Sequence, residues 1–164
     1  MPDSISVSIA KAIESAIEGK ILSQQNFDLV RSYAEWDIDL SKIDSNELPE
    51  EEKLRVDITS YTTDQEVEQL SRSAVQLRVA TDIAVRRKFG PNYQNEGTGR
   101  IEIAEIDALM LFIQELVLLF SEFELPGVRW ESTNIVEAPV REHLRELRQF
   151  TGVLRIIFLA NIAT

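Results

Sequence analysis

Apolar residues recur along this chain with two periods. Ile5, Ile9, Ala12, Ile13, Ala16 and Ile17 share one helical face, with Lys11, Glu14, Ser15 and Glu18 opposite. Spacing of three to four residues marks an amphipathic helix. Ser4 or Ser6 caps its start and Gly19 ends it, which predicts a helix over residues 4–18. The same period returns at Ile106, Leu109, Met110, Ile113, Leu116, Val117 and Phe120, and stops at Pro126-Gly127. Phe112 and Leu119 flank this second stripe. A stripe so wide packs on a sheet with surface to spare, so Phe112 and Leu119 are the expected apolar surface for packing against a neighbouring subunit.

Elsewhere the period is two. Residues 27–38 alternate as a strand covered on both faces, and Leu54, Val56 and Ile58 alternate with Arg55, Asp57 and Thr59 as a half-buried one. Val75, Leu77, Val79, Thr81, Ile83 and Val85 form the longest alternation, long enough for a sheet's spine. Between them Thr62 to Ser73 is polar and reads as a connection, a hairpin arm over about residues 60–74. Gly90-Pro91 stops the long strand, and the segment to Arg100 is a loop. Val128 to Ala138 reads as a strand, Pro139 to Leu147 as a charged turn or short helix, and Phe150 to Ala160 as a strand apolar on both faces. The last belongs in a sheet interior. Most strands follow one another without an intervening helix. The expected class is α+β: one domain over residues 1–164, with a mostly antiparallel β-sheet and two main helices packed on one face.

Composition narrows the chemistry. The 164 residues carry a net charge of −11, which excludes a general nucleic-acid coat. There is no Cys, which removes disulfides, thiolate metal sites and Cys nucleophiles, and the single His is His143. Within its charged run, His143 is expected to be solvated or paired with Glu142 or Glu146. No phosphate-binding glycine loop, nucleophile elbow or zinc-protease motif occurs, and Gly97-Thr98-Gly99 reads as a flexible turn. No enzyme activity, cofactor or metal site is therefore expected. The longest apolar runs fall far short of the roughly 20 residues that span a membrane. Met1-Pro2-Asp3-Ser4-Ile5-Ser6 lacks the features of a secretory leader, so the expected setting is a cytosol, without membrane contact.

Charge is unevenly spread. An acidic loop over about residues 35–52 holds Glu35, Asp37, Asp39, Asp44, Glu47, Glu50, Glu51 and Glu52 against Lys42, net −7. Arg72, Arg78, Arg86, Arg87, Lys88 and Arg100 outweigh Asp82 and Glu96 by four charges. The bland reading of this basic zone is the solvated side of a strand. A subunit with a basic and an acidic end also suits head-to-tail closure into a ring. Glu50, Glu51, Glu52, Arg86, Arg87 and Lys88 are then the candidate lumen or inter-subunit charges.

The order of these segments resembles a known family. The opening helix from Ile5 to Ile13, the strand Leu54-Arg55-Val56-Asp57-Ile58 and the segment from Leu77 to Phe89 carry the likeness. So do Glu105 to Met110, Ala138 to Leu144 and Arg148 to Leu154. Together they resemble the tail-terminator or tail-completion proteins of long-tailed phages, the U-type minor tail proteins. The resemblance implies a structural virion protein of the tail and neck, assembled in a host cytoplasm. Its subunits would form a ring, often six-fold, at the head-proximal end of the tail tube. Partners would be further copies of the chain, the tail tube protein, head–tail connector or neck proteins, and genomic DNA passing through the lumen without sequence-specific binding. The alternatives are another neck component (a connector or stopper), and, further off, a host-cell binding module or a small enzyme.

Overall fold

The computed structural model describes residues 3–19, 22–23, 29–32, 43, 47–48, 54–62, 68–71, 74–90 and 100–163. Helix α1 runs Ile5–Glu18, with the Ser4 side chain accepting from the Val7 amide at 3.4 Å. Strands β1 (Leu29–Ser32), β2 (Leu54–Thr62), β3 (Glu68–Ser71) and β4 (Ala74–Lys88) follow. Helix α2 (Ile103–Ser121) precedes β5 (Val128–Glu137), a π-helical turn His143–Leu147, and β6 (Gln149–Ala163).

The strands make one sheet ordered β1-β2-β4-β6-β5. Among the described strands only β1–β2 is parallel; the other pairs, including β3 with the start of β4, are antiparallel. The spine is β4 against β6, paired from Ala74↔Ala163 to Lys88↔Gln149. Here the two longest apolar alternations of the sequence meet, and β6 is the interior strand its two apolar faces predict.

Register explains where the helices sit. Val56 faces Val85 and Ile58 faces Ile83, while Ile83 and Val79 face Leu154 and Phe158. Residues directly opposite in an antiparallel pair point to the same side. That side is continuously apolar and joins Ile9, Ile13 and Ile17 of α1 and Leu109, Phe112, Ile113, Leu116 and Phe120 of α2 in one buried cluster. Both helices therefore cover the same face, α1 over β1 and β2, α2 over β5 and β6. Helix α2 comes so close to β6 at Gly152 that a Cβ there would lie 2.3 Å from Ile113 Cδ1. The fold is α+β with both main helices on one face, as expected.

One detail differs from the sequence reading, and two others add to it. The polar arm contains β3, whose Glu68 and Gln69 pair with Gln76 and Val75. Its backbone completes the edge of β4 that β2 leaves free, which side-chain alternation could not announce. Of the acidic loop, Glu47 and Leu48 are tied down: Leu48 is buried and donates its amide to Gln149 Oε1 at 2.7 Å. The strand expected over residues 27–38 is described only at β1, and its remainder lies outside the described residues.

Candidate interaction surfaces

The second face of the sheet is polar and, at its centre, buried. Strand alternation sends Asp57, Asp82, Arg86, Thr151 and Arg155 there. Arg86 pairs with Asp57, and the two are 3% and 0% exposed. Asp82 accepts from Tyr61 Oη at 2.9 Å and from Arg155 Nε at 2.8 Å. Burial, then the Asp82 charge, holds the Tyr61 hydroxyl above its ordinary range, while the bond to Asp82 holds Arg155 more firmly protonated. His143 is buried, contrary to the solvated or Glu-paired role expected of it. Its Nδ1 meets Thr151 Oγ1 at 2.7 Å, and Gln149 Nε2 donates to the same hydroxyl at 3.0 Å. Nε2 of His143 has no hydrogen-bond partner among the described residues. Burial and the neighbouring Arg86 charge push the imidazole pKa down.

This arrangement disperses the basic zone. Arg86 is an internal ion-pair partner, so it cannot serve as a lumen or inter-subunit charge. Arg87 points to the other side, its guanidinium 5.7 Å from the Phe89 ring centre. Lys88 pairs with Glu47, and Arg78 with Glu131 at 2.8 Å. Neighbouring residues on a strand face opposite ways, so three consecutive bases in sequence do not make a patch. Glu50, Glu51, Glu52 and Arg72 lie outside the described residues.

Phe112 is fully buried under α2, so it is core and not a packing surface for a neighbour. Leu119 is half-buried against the same core, beside Ala12, Ala16 and Phe123. The buried arc of α2 is centred on Leu109, Ile113 and Leu116, which leaves Ile103, Leu111 and Leu118 on the outside. Each outward leucine sits one position before an expected contact residue; a helix turns by about 100° per residue, enough to exchange core for solvent. A second uncovered apolar group is Trp130, Ile135 and Val136 on β5, which forms one edge of the sheet. Register shifts at Trp130/Ser132 and Ile135/Glu137 leave Glu131 and Val136 bulged, and both are exposed.

A pocket of about 490 Å³ opens where the π-helical turn meets the first turns of α2, lined by Arg100, Ile101, Ile106, Arg141, Leu144, Arg145 and Arg148. Three apolar residues and four arginines line it. Arg148 closes the turn in the left-handed region, φ 52° and ψ 42°, where a side chain other than Gly is disfavoured. The sequence held the signal: Arg141, Leu144, Arg145 and Arg148 lie at i, i+3, i+4 and i+7, while Glu142 and Glu146 fall off that face.

No known family model and no curated protein matches this chain. Fold and surfaces define its class as an α+β domain with two uncovered apolar surfaces and an arginine-lined pocket. Among the described residues no cluster of His, Asp or Glu is placed to hold a metal ion, and no helix is long and apolar enough to cross a membrane.

Proposed function

We propose that the chain is a structural subunit of the tail-terminator kind, forming a ring on the head-proximal end of a phage tail tube. The observation that carries this reading is the pair of uncovered apolar surfaces, one on α2 and one on the β5 edge. Exposed apolar side chains on two separate elements offer a ring subunit distinct contacts for its neighbours and for the tube. The net charge of −11 suits a channel through which DNA slides without sticking.

Negative-stain imaging of the purified protein with tail tubes tests the reading. Capped tubes or rings are expected. Trp130→Glu with Val136→Glu should abolish capping while circular dichroism stays unchanged. A protein that neither closes rings nor binds tube ends at any ratio refutes the proposal.

A further inference from the structure

Five bases of the chain each hold an acid: Lys11 with Asp3, Arg78 with Glu131, Arg86 with Asp57, Lys88 with Glu47 and Arg155 with Asp82. Three others at the pocket beside the π-helical turn do not. Arg141, Arg145 and Arg148 are exposed and make no ion pair among the described residues. Glu142 and Glu146 lie on or beside the same turn, yet neither is joined to these arginines. In a chain with 28 acids and 17 bases, three unmatched guanidiniums at one pocket are a local surplus left for a group outside the chain.

Arg148 sharpens the point. Its backbone sits in the left-handed region, which Gly occupies without steric cost. Its amide donates to the His143 carbonyl and its own carbonyl accepts from the Phe89 amide at 2.9 Å. Gly would make both bonds as well, so the backbone calls for no side chain at this position. The arginine found there lines the pocket.

The lining selects the ligand. Arg141 and Arg148 are seven residues apart, about 10 Å at a helical rise, with Leu144 between them and Ile101 and Ile106 completing the apolar part. Guanidiniums spread over this length suit separated carboxylates better than one compact anion, and the aliphatic wall suits an aliphatic side chain. Alternate residues of an extended peptide share one side, roughly 7 Å apart, which matches this spacing within the reach of an Arg side chain. No aromatic ring lines the pocket to stack on a base. Glu102, Glu142 and Glu146 are exposed on the same segments and repel an extended polyanion such as nucleic acid or an anionic bilayer.

We infer that this pocket binds a short extended peptide segment of a protein partner, with carboxylates on both sides of an aliphatic residue. Arg141, Arg145 and Arg148 clamp the carboxylates, which a guanidinium does with two parallel N–H bonds. Leu144, Ile101 and Ile106 cover the aliphatic side chain. The pocket includes none of the uncovered residues of α2 or β5, and its ligand does not depend on the ring reading.

A fluorescein-labelled peptide with the core Glu-Ser-Leu-Ser-Glu, titrated with the full chain and read by anisotropy, tests this. It should bind with Kd of roughly 10–100 micromolar. Peptides with the cores Gln-Ser-Leu-Ser-Gln and Glu-Ser-Ser-Ser-Glu should each bind about tenfold more weakly. Arg141→Ala with Arg145→Ala should weaken binding about tenfold or more, with circular dichroism unchanged. Arg148→Gly should weaken it about threefold or more while the melting temperature holds, because Gly accepts the left-handed backbone. A lower melting temperature in Arg148→Gly with peptide binding intact would give that arginine a structural role and overturn the inference. Equal affinity for the Glu and Gln cores overturns it, as does binding that survives the paired Ala substitutions or no saturable binding at all. Sodium tripolyphosphate that binds more tightly than the peptide and displaces it assigns the pocket to phosphate chemistry, and likewise overturns the peptide.

Discussion

Replacing Asp57 by Asn should be among the most costly single changes on the sheet. Asp57 is 0% exposed and its partner Arg86 is 3% exposed, so neither charge is screened by solvent. Asn keeps the shape and removes the charge, leaving the guanidinium buried with its ion-pair partner neutralised. Breaking a buried pair in this way typically costs about 3–5 kcal/mol. For a chain of this length each kcal/mol moves the melting temperature by about 2–4 °C, so a drop of roughly 6–20 °C is expected. Urea denaturation followed by tryptophan fluorescence measures the free energy. The pair itself need not be a net stabiliser: Asp57→Leu combined with Arg86→Met should fall within ~1 kcal/mol of wild type, since apolar replacement removes both desolvation penalties. A loss below ~1 kcal/mol for Asp57→Asn would refute the argument, as would a double variant no more stable than the single one.

Two further outcomes follow from the same packing. Gly152→Ala should cost about 1–3 kcal/mol in urea denaturation, because its Cβ would meet Ile113 Cδ1 at 2.3 Å and Phe150 Cε1 at 3.1 Å; Ile113→Val in the same chain removes the first clash and should recover part of the loss, and failure to do so would place the strain elsewhere. His143 has a lowered pKa in the folded protein, so between pH 7 and 5.5 the unfolded chain binds more protons and stability falls as pH drops through about 6.5. His143→Gln keeps a hydrogen-bonding side chain beside Thr151 and should flatten the stability–pH slope over that window by up to about 1.4 kcal/mol per pH unit; an unchanged slope would show that the imidazole titrates normally.

Much of the architecture was legible because each long element repeats its period many times. The stripe of α1 ends at Gly19 in both sequence and fold, and the alternation of Val75 to Val85 became β4. Strand β6 reads as interior because Val153 and Leu154 are both apolar, and both are buried. Strand β3 was not legible: Glu68-Gln69-Leu70-Ser71 has no apolar alternation to mark it. The surfaces were less legible still. Periodicity placed an apolar stripe on α2 but not the angle at which the helix meets the sheet. That angle made Phe112 core and left Leu111 outside.

By itself the sequence determined the element types, their order and the polarity of each face, because these follow from local periodicity and capping. It also determined the net charge and the absence of thiol chemistry. Only the tertiary structure decided which polar residues are buried. Arg86 and His143 read as surface charge in a chain where acids abound, and both are enclosed, one by pairing with Asp57 and the other against Thr151. The arginines that do gather come from segments about forty residues apart, Arg100 before α2 and Arg141 to Arg148 beside the π-helical turn. Long-range chain return sets such proximity, and no local pattern encodes it.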